Sequence, residues 1–357
     1  MKEFWSSRIR NIVPYTPGEQ PKEQKFIKLN TNENPYPPSP KVMEAIRQES
    51  GEKLRLYPDP EASSLRRAAA ELYGLSPEEV FVGNGSDEVL AFSFEAFFEA
   101  GKTIAFPDIT YSFYPVFAEL FDIPYEQIPL NEDFTLPVDS YCRGNYAGIV
   151  VCNPNAPTGI QLPLSEIEKI IRANPDVVVL VDEAYIDFGG NSAIKLIHQY
   201  PNLLITQTMS KSRSLAGMRI GLAFGSQNLI MGLNAVKNSF NSYTLDRLAI
   251  AAGTAALEDK AYFETTRDRV IETRESSAAQ LRELGFIVLP SCTNFLFIRH
   301  PDVSAVWLYR KLRENGILVR HFNQARINDY LRVTIGTQDE MKIFCAVMAR
   351  LLQESEE

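Results

Sequence analysis

The chain is poor in histidine, cysteine and tryptophan, and each shortage removes a class of protein. Its 357 residues include three histidines and four cysteines. Cys142, Cys152, Cys292 and Cys345 form no CxxC pair and no tight cluster, so neither a metal site nor a disulfide framework is expected. Isolated cysteines of this kind point to reduced thiols in the cytoplasm. Positive charge is also short: 36 Lys and Arg stand against 45 Asp and Glu, a net charge of −9. That balance argues against nucleic acid or an anionic membrane as partner, and it leaves anion recognition to a few placed arginines. No apolar run reaches the ~18 residues that a membrane span needs. The N-terminus, Met-Lys-Glu-Phe-Trp-Ser-Ser-Arg, lacks the apolar core of a signal peptide. No internal repeat or low-complexity linker divides the chain.

What remains is an ordinary globular composition, 45% hydrophobic and 23% charged, with length enough for about two domains. Proline crowds the start: Pro14, Pro17, Pro21, Pro35, Pro37, Pro38 and Pro40 keep residues 1–40 extended. Helices are expected over 41–49, 61–73, 89–98, 111–121, 164–173 and most of 244–284. Apolar runs at 80–82, 103–106, 148–152, 177–181 and 203–208 read as strands. These runs do not alternate and helices separate them, which is the pattern of parallel strands buried on both faces. Ligands in such sheets sit just beyond the carboxyl ends of the strands. Shorter strands within 286–289, 294–298, 316–320 and 330–335 suit a smaller α+β unit.

The strand ends carry residues that share one chemistry. The run 203–208 leads into Ser210-Lys211, with Arg219 between Gly217 and Gly221. A lysine just past a buried strand loses hydration, which lowers its pKa and makes it a nucleophile and proton carrier. Ser210 and Arg219 are donors suited to a phosphate. The run 177–181 ends at Asp182, with Tyr185 three residues beyond, and 148–152 ends at Asn153-Pro-Asn155-Ala-Pro-Thr-Gly159. Val80-Phe-Val leads into Gly85-Ser86-Asp87, read as a turn into a helix capped by Ser86 or Asp87, whose free N–H groups can hold a phosphate. An amine for an aldehyde, a carboxylate that keeps a ring nitrogen protonated, and phosphate donors together describe a pyridoxal phosphate pocket. Lys211 then meets the aldehyde, Asp182 the pyridine nitrogen, and Asn155 and Tyr185 the phenolate oxygen. Tyr111 supplies a ring to stack on, and Gly85, Ser86, Asp87, Ser210 and Arg219 surround the phosphate. Each motif alone has a plainer explanation, such as an N-cap, a proline turn or a core tyrosine. In order, after successive strands, they do not.

The ordered set Asn153-Pro-Asn-Ala-Pro-Thr-Gly159, Asp182-Glu-Ala-Tyr185 and Ser210-Lys211 with Gly217-Met-Arg219-Ile-Gly221 resembles the fold-type I pyridoxal-phosphate aminotransferases. Leu29-Asn-Thr-Asn-Glu-Asn34-Pro-Tyr-Pro-Pro-Ser-Pro40 and Tyr57-Pro-Asp59 narrow the resemblance to the histidinol-phosphate aminotransferase branch, from Pro14 onward. The resemblance implies an α/β fold: a large domain over 30–245, with a mostly parallel sheet between helices, and a smaller α+β domain from 1–29 and 246–357. It implies pyridoxal 5'-phosphate as cofactor and ping-pong amino transfer between L-histidinol phosphate and 2-oxoglutarate, in histidine biosynthesis. It also implies a homodimer in which Tyr57 reaches the cofactor phosphate of the neighbouring subunit. Catalytic roles fall to Lys211, Asp182 and Tyr185. Arg332 matches the arginine that grips the substrate carboxylate, Arg320 and Tyr15 match residues near the substrate phosphate, and Asn32 and Asn34 lie on an arm over the pocket. The chain departs from the family after the lysine, where Arg213-Ser214 stand in place of the common aromatic and glycine.

Three other readings share these residues. An aromatic amino-acid aminotransferase and a threonine-phosphate decarboxylase would use the same site, because the choice of Cα bond is not written in the motifs. A regulatory module that binds pyridoxal phosphate without turnover is disfavoured by the lack of any basic DNA-binding extension. A nicotinamide enzyme is the last alternative and is disfavoured, since Gly83-Asn-Gly85 lacks the third glycine and the ribose acid.

Overall fold

The computed structural model describes residues 4–10, 12–15, 18–20 and 26–356; Pro17 and Pro21 of the arm lie outside the described residues. The strands are β1 (Ile27–Lys28), β2 (Val80–Asn84), β3 (Ile104–Pro107), β4 (Tyr125–Ile128), β5 (Ile149–Cys152), β6 (Val179–Asp182), β7 (Leu203–Thr208), β8 (Ile220–Gly225), β9 (Ile287–Val288), β10 (Phe295–Arg299), β11 (Ile317–Leu318), β12 (Arg320–His321) and β13 (Leu331–Thr334). The helices are α1 (Ser7–Arg10), α2 (Pro40–Glu49), α3 (Ser63–Tyr73), α4 (Gly85–Phe97), α5 (Phe113–Leu120), α6 (Val138–Arg143), α7 (Leu164–Ala173), α8 (Gln227–Phe240), α9 (Arg247–Glu258), α10 (Lys260–Glu283), α11 (Ala305–Glu314) and α12 (Gln338–Glu356).

Strands β2 to β8 form one sheet in the order β2-β8-β7-β6-β5-β3-β4. Strands β7, β6, β5, β3 and β4 pair in parallel, and β8 lies antiparallel between β2 and β7. Successive residues of a strand face opposite sides, so an apolar run feeds two cores at once. Val179 and Val181 enter one core with Leu65, Ala249 and Ala252 from α3 and α9, while Leu180 enters the other with Val89, Leu90 and Leu233 from α4 and α8. This is why β5, β6 and β7 show no alternation: all their residues are buried. A second, antiparallel sheet has the order β12-β13-β10-β9, and β1 pairs in parallel with β11. Helices α10, α11 and α12 cover it through Leu281, Leu312 and Phe344.

The observed boundaries correct some expectations. Helix α4 starts at Gly85, so Ser86 and Asp87 occupy its first turn instead of capping it. Asp182 is the last residue of β6 itself, and α5 begins at Phe113, two residues after Tyr111. Among the described residues no helix is long and apolar enough to cross a membrane, and no three potential metal ligands converge.

Candidate active site

The carboxyl ends of β5, β6 and β7 and the first turn of α4 open into a cleft of about 330 Å³. Asp182 forms part of its floor and is only 2% exposed. Tyr114 donates its hydroxyl to Asp182 Oδ2 at 2.8 Å, and Thr206 donates to Oδ1 at 3.2 Å. Burial still wins over these bonds and pushes the carboxyl up to about 6. A cation placed against it would reverse that shift, because an opposite charge favours the ionised form. The next residue, Glu183, is also buried and accepts from Ser192 Oγ (2.6 Å), Ala193 N (2.7 Å) and Gln207 Nε2 (3.0 Å). Those bonds tie down the turn that follows β6.

Lys211 follows β7 and lies half-buried over this floor. Its Nζ donates to the Thr31 carbonyl at 3.2 Å and sits 5.9 Å from the Tyr185 ring centroid. Burial, helped by the positive field of Arg332, holds the amine down at about 8. The arm fixes its backbone, since Asn34 Nδ2 donates to the Lys211 carbonyl at 3.0 Å and to that of Ser212 at 3.3 Å. Asn32 Nδ2 donates to the Tyr185 hydroxyl at 2.8 Å, and burial raises that phenol to about 12.

The third wall is made for an anion. Gly221 of β8 faces Gly85, and a Cβ there would lie 2.4 Å from the Gly85 carbonyl carbon and 2.5 Å from the Ser86 nitrogen. Only glycine lets the first turn of α4 come this close, with its unpaired N–H groups. Arg219 adopts a left-handed φ of 52° and reaches across. Its Nη2 donates to Asp87 Oδ2 at 3.1 Å, and Nη1 lies 3.5 Å from Ser210 Oγ. Tyr111 donates its hydroxyl to Asp87 Oδ1 at 2.7 Å. Amine, buried carboxyl and anion cup surround one space, and the set fits pyridoxal phosphate.

Most sequence-predicted residues meet here: Tyr15, Asn32, Ser86, Asp87, Tyr111, Asp182, Tyr185, Ser210, Lys211, Arg219, Arg320 and Arg332 line the cleft. Gly85 lies under Arg219, and Asn34 acts on the Lys211 backbone. Asn155 stands one layer back, with both amide hydrogens given to the Ile109 carbonyl (3.0 Å) and Thr158 Oγ1 (3.1 Å). Tyr57 is away from the cleft, 78% exposed and stacked on Tyr243 at 4.6 Å. Sequence reasoning missed Tyr114 and Thr206, the partners of Asp182, and also Thr31 and Glu33, which line the cleft. Thr31 and Glu33 lay inside the quoted arm motif and could have been found there. Tyr114 gave no signal, being one aromatic among many in its helix.

The profile of the aminotransferase class I and II family matches residues 24–348. The chain belongs to that family. Among its relatives is the histidinol-phosphate aminotransferase of Clostridium acetobutylicum, 59% identical, with 96% of this chain and 97% of the relative covered. That of Marinomonas sp. is 55% identical, with 98% and 100% covered. The fold is similar to the crystal structure of histidinol-phosphate aminotransferase from Sinorhizobium meliloti in complex with pyridoxal-5'-phosphate, with a TM-score of 0.88, 24% identity and 99% of each chain covered. Within this aminotransferase the departure after Lys211 has a physical reading. Arg213 lays its guanidinium 3.6 Å from the Phe263 ring centroid in α10 and donates to the Ala256 carbonyl at 2.8 Å. Ser214 takes the left-handed φ of 59° that glycine would take more easily.

Proposed function

We propose that this aminotransferase moves the amino group of L-histidinol phosphate to 2-oxoglutarate with pyridoxal 5'-phosphate, as a step of histidine biosynthesis. One observation carries the choice of substrate. Arg320 and Arg332 face the cleft beside Lys211, and among the described residues neither is ion-paired to a carboxylate. Arg332 lies over the rings of Phe295 (5.3 Å) and Phe322 (5.6 Å), donates one N–H to the Asn30 carbonyl at 3.1 Å, and keeps a buried Nε with no partner. Partly buried guanidinium groups with no carboxylate beside them are costly to desolvate, so this pair is suited to receive anions. Histidinol phosphate brings a phosphate and glutamate brings two carboxylates, and planar guanidinium forks suit both. Identity of 55–59% to histidinol-phosphate aminotransferases over nearly the whole chain supports the same choice.

Pyridoxal phosphate, when bound, supplies the aldehyde that captures the substrate amine and a ring that accepts the electron pair left at Cα. Lys211 Nζ is the group that holds the cofactor and then takes and returns the Cα proton, a task that suits an amine near 8. Asp182 would hold the proton on the ring nitrogen. Tyr185, with Asn155 one layer behind it, would hold the phenolate oxygen. Gly85, Ser86, Asp87, Ser210 and Arg219 would hold the phosphate, Tyr111 would stack on the ring, and Tyr15, Asn32 and Asn34 would line the substrate side.

The proposal extends to a cytoplasmic homodimer in which Tyr57 completes the neighbouring site. The same proposal takes a large domain over 30–245 and a smaller one from 1–29 and 246–357; Ala249, Ala252 and Leu257 of α9 lie in a core of the large sheet and favour placing α9 with it. The substrate is tested by single half-reactions, reading bound-cofactor absorbance with L-histidinol phosphate, phenylalanine or threonine phosphate. Fastest conversion by histidinol phosphate is expected. Faster conversion by phenylalanine, or CO₂ release from threonine phosphate, would reassign the enzyme.

A further inference from the structure

One core of the large sheet continues into the second sheet, and a further apolar cluster joins the two sheets at another point. Ile109, Leu130 and Phe134 come from the loops after β3 and β4, and Phe297, Ile327 and Tyr330 come from β10 and the β12–β13 connection. Phe297 and Tyr330 stack at 4.7 Å, and Phe134 meets them edge-on at 6.5 and 5.5 Å. A cavity of about 100 Å³ lies behind Leu130 and Phe134 on the side of the large sheet.

Arg326 closes the rim of the joint. Its Nη1 donates to Asp108 Oδ2 at 3.2 Å, and its Nη2 donates to the carbonyls of Leu130 (2.9 Å) and Asn131 (2.7 Å). Gln324, two residues earlier, donates to the Asp108 carbonyl at 3.2 Å. Arg326 makes its bonds from a left-handed φ of 72°, a conformation that costs a side-chain-bearing residue free energy and is held by its surroundings.

Each side of the joint leads to the active site. Beyond Asp108, Ile109 and Thr110 bond Asn155, and Tyr111 lines the cleft. On the other side Phe322 lies against both arginines, 5.7 Å from Arg320 and 5.6 Å from Arg332, and Tyr330 precedes Arg332 by two residues. We infer that Arg326 is a positioning residue, a latch between the sheets that keeps Arg320 and Arg332 at a fixed distance from the cofactor-binding edge of the large sheet. It lines no part of the cleft, so its loss loosens anion binding and leaves the proton-carrying groups in place. The inference rests on the proposed function for the identity of the anionic substrates.

The test titrates the holoenzyme calorimetrically with glutarate, a dicarboxylate with no amine to react. Arg326→Ala is expected to weaken glutarate roughly tenfold and to raise KM for both substrates similarly, with kcat within about threefold of wild type. Arg326→Lys keeps the pairing to Asp108 and restores part of the affinity. Asp108→Asn keeps a cap for the Leu130 N–H, which Asp108 Oδ1 accepts at 2.9 Å, and replaces the charged acceptor facing Arg326 with a neutral donor, so it decides the matter should the alanine variant not fold. Combining it with Arg326→Ala should add little, because the alanine has already removed the partner of Asp108. Folded variants that bind glutarate within about twofold of wild type, or that lose kcat alone, overturn the latch. Glutarate binding does not depend on which amine donor is natural, so a failed substrate assignment and a failed latch give different results.

Discussion

Burial drives Lys211 and Asp182 toward their neutral forms, the amine to about 8 and the carboxyl to about 6. For Asp182 the folded pKa is raised. Its contribution to stability is therefore present below the unfolded value of 3.8 and lost as pH rises through about 6, a change of about 3 kcal/mol. Asp182→Asn removes that dependence: the apo-protein should lose less stability than wild type between pH 4.5 and 7.5, while cofactor affinity falls about 100-fold or more. Thermal melts of both apo-proteins across pH would be parallel if this is wrong. For Lys211 the folded pKa is depressed, so its contribution is present above 10.5 and lost as pH falls through about 8. Capture of pyridoxal phosphate by the apo-protein should accelerate through that same midpoint. A midpoint near the ordinary lysine value would contradict the pocket's effect on the amine.

At the scale of elements, the anion wall depends on β8 and α4 touching through two glycines. Gly221→Ala would push a methyl against the Gly85 backbone, costing about 1–3 kcal/mol of stability and weakening the cofactor more than melting alone accounts for. A melting curve and a cofactor titration on the same variant separate the two effects. Arg213→Ala removes a stack on α10 and a bond to the end of α9, and should lower stability by about 1 kcal/mol. The large-sheet strands β5, β6 and β7 were legible because strands buried on both faces are written as unbroken apolar runs. Strand β8, with glycine at both Gly221 and Gly225, and β4, Tyr-Glu-Gln-Ile, carry no such run and were not. The cleft residues at strand ends were legible as motifs. The hydrogen bond from Tyr114 to Asp182 spans 68 residues of sequence and exists only once α5 packs beside β6.

At the scale of the whole molecule, Tyr57 and Phe240 are each 78% exposed, and Tyr243 stacks on Tyr57. Exposed aromatics of this kind suit the homodimer proposed above, in which another chain would cover them. If that chain is a second copy and Tyr57 serves the opposite site, mixing inactive Lys211→Ala with impaired Tyr57→Ala subunits should restore about a quarter of wild-type activity. Half of the dimers would then be mixed, each with one intact site; no recovery after confirmed subunit exchange would refute the shared site. The measurement that bears most directly on the central claim is reduction of the holoenzyme with borohydride, followed by peptide mass spectrometry. The expected result is a pyridoxyl group on Lys211 and on no other lysine, absent from Lys211→Ala, which does not transaminate. A pyridoxyl group on another lysine, or wild-type turnover by Lys211→Ala, would contradict it.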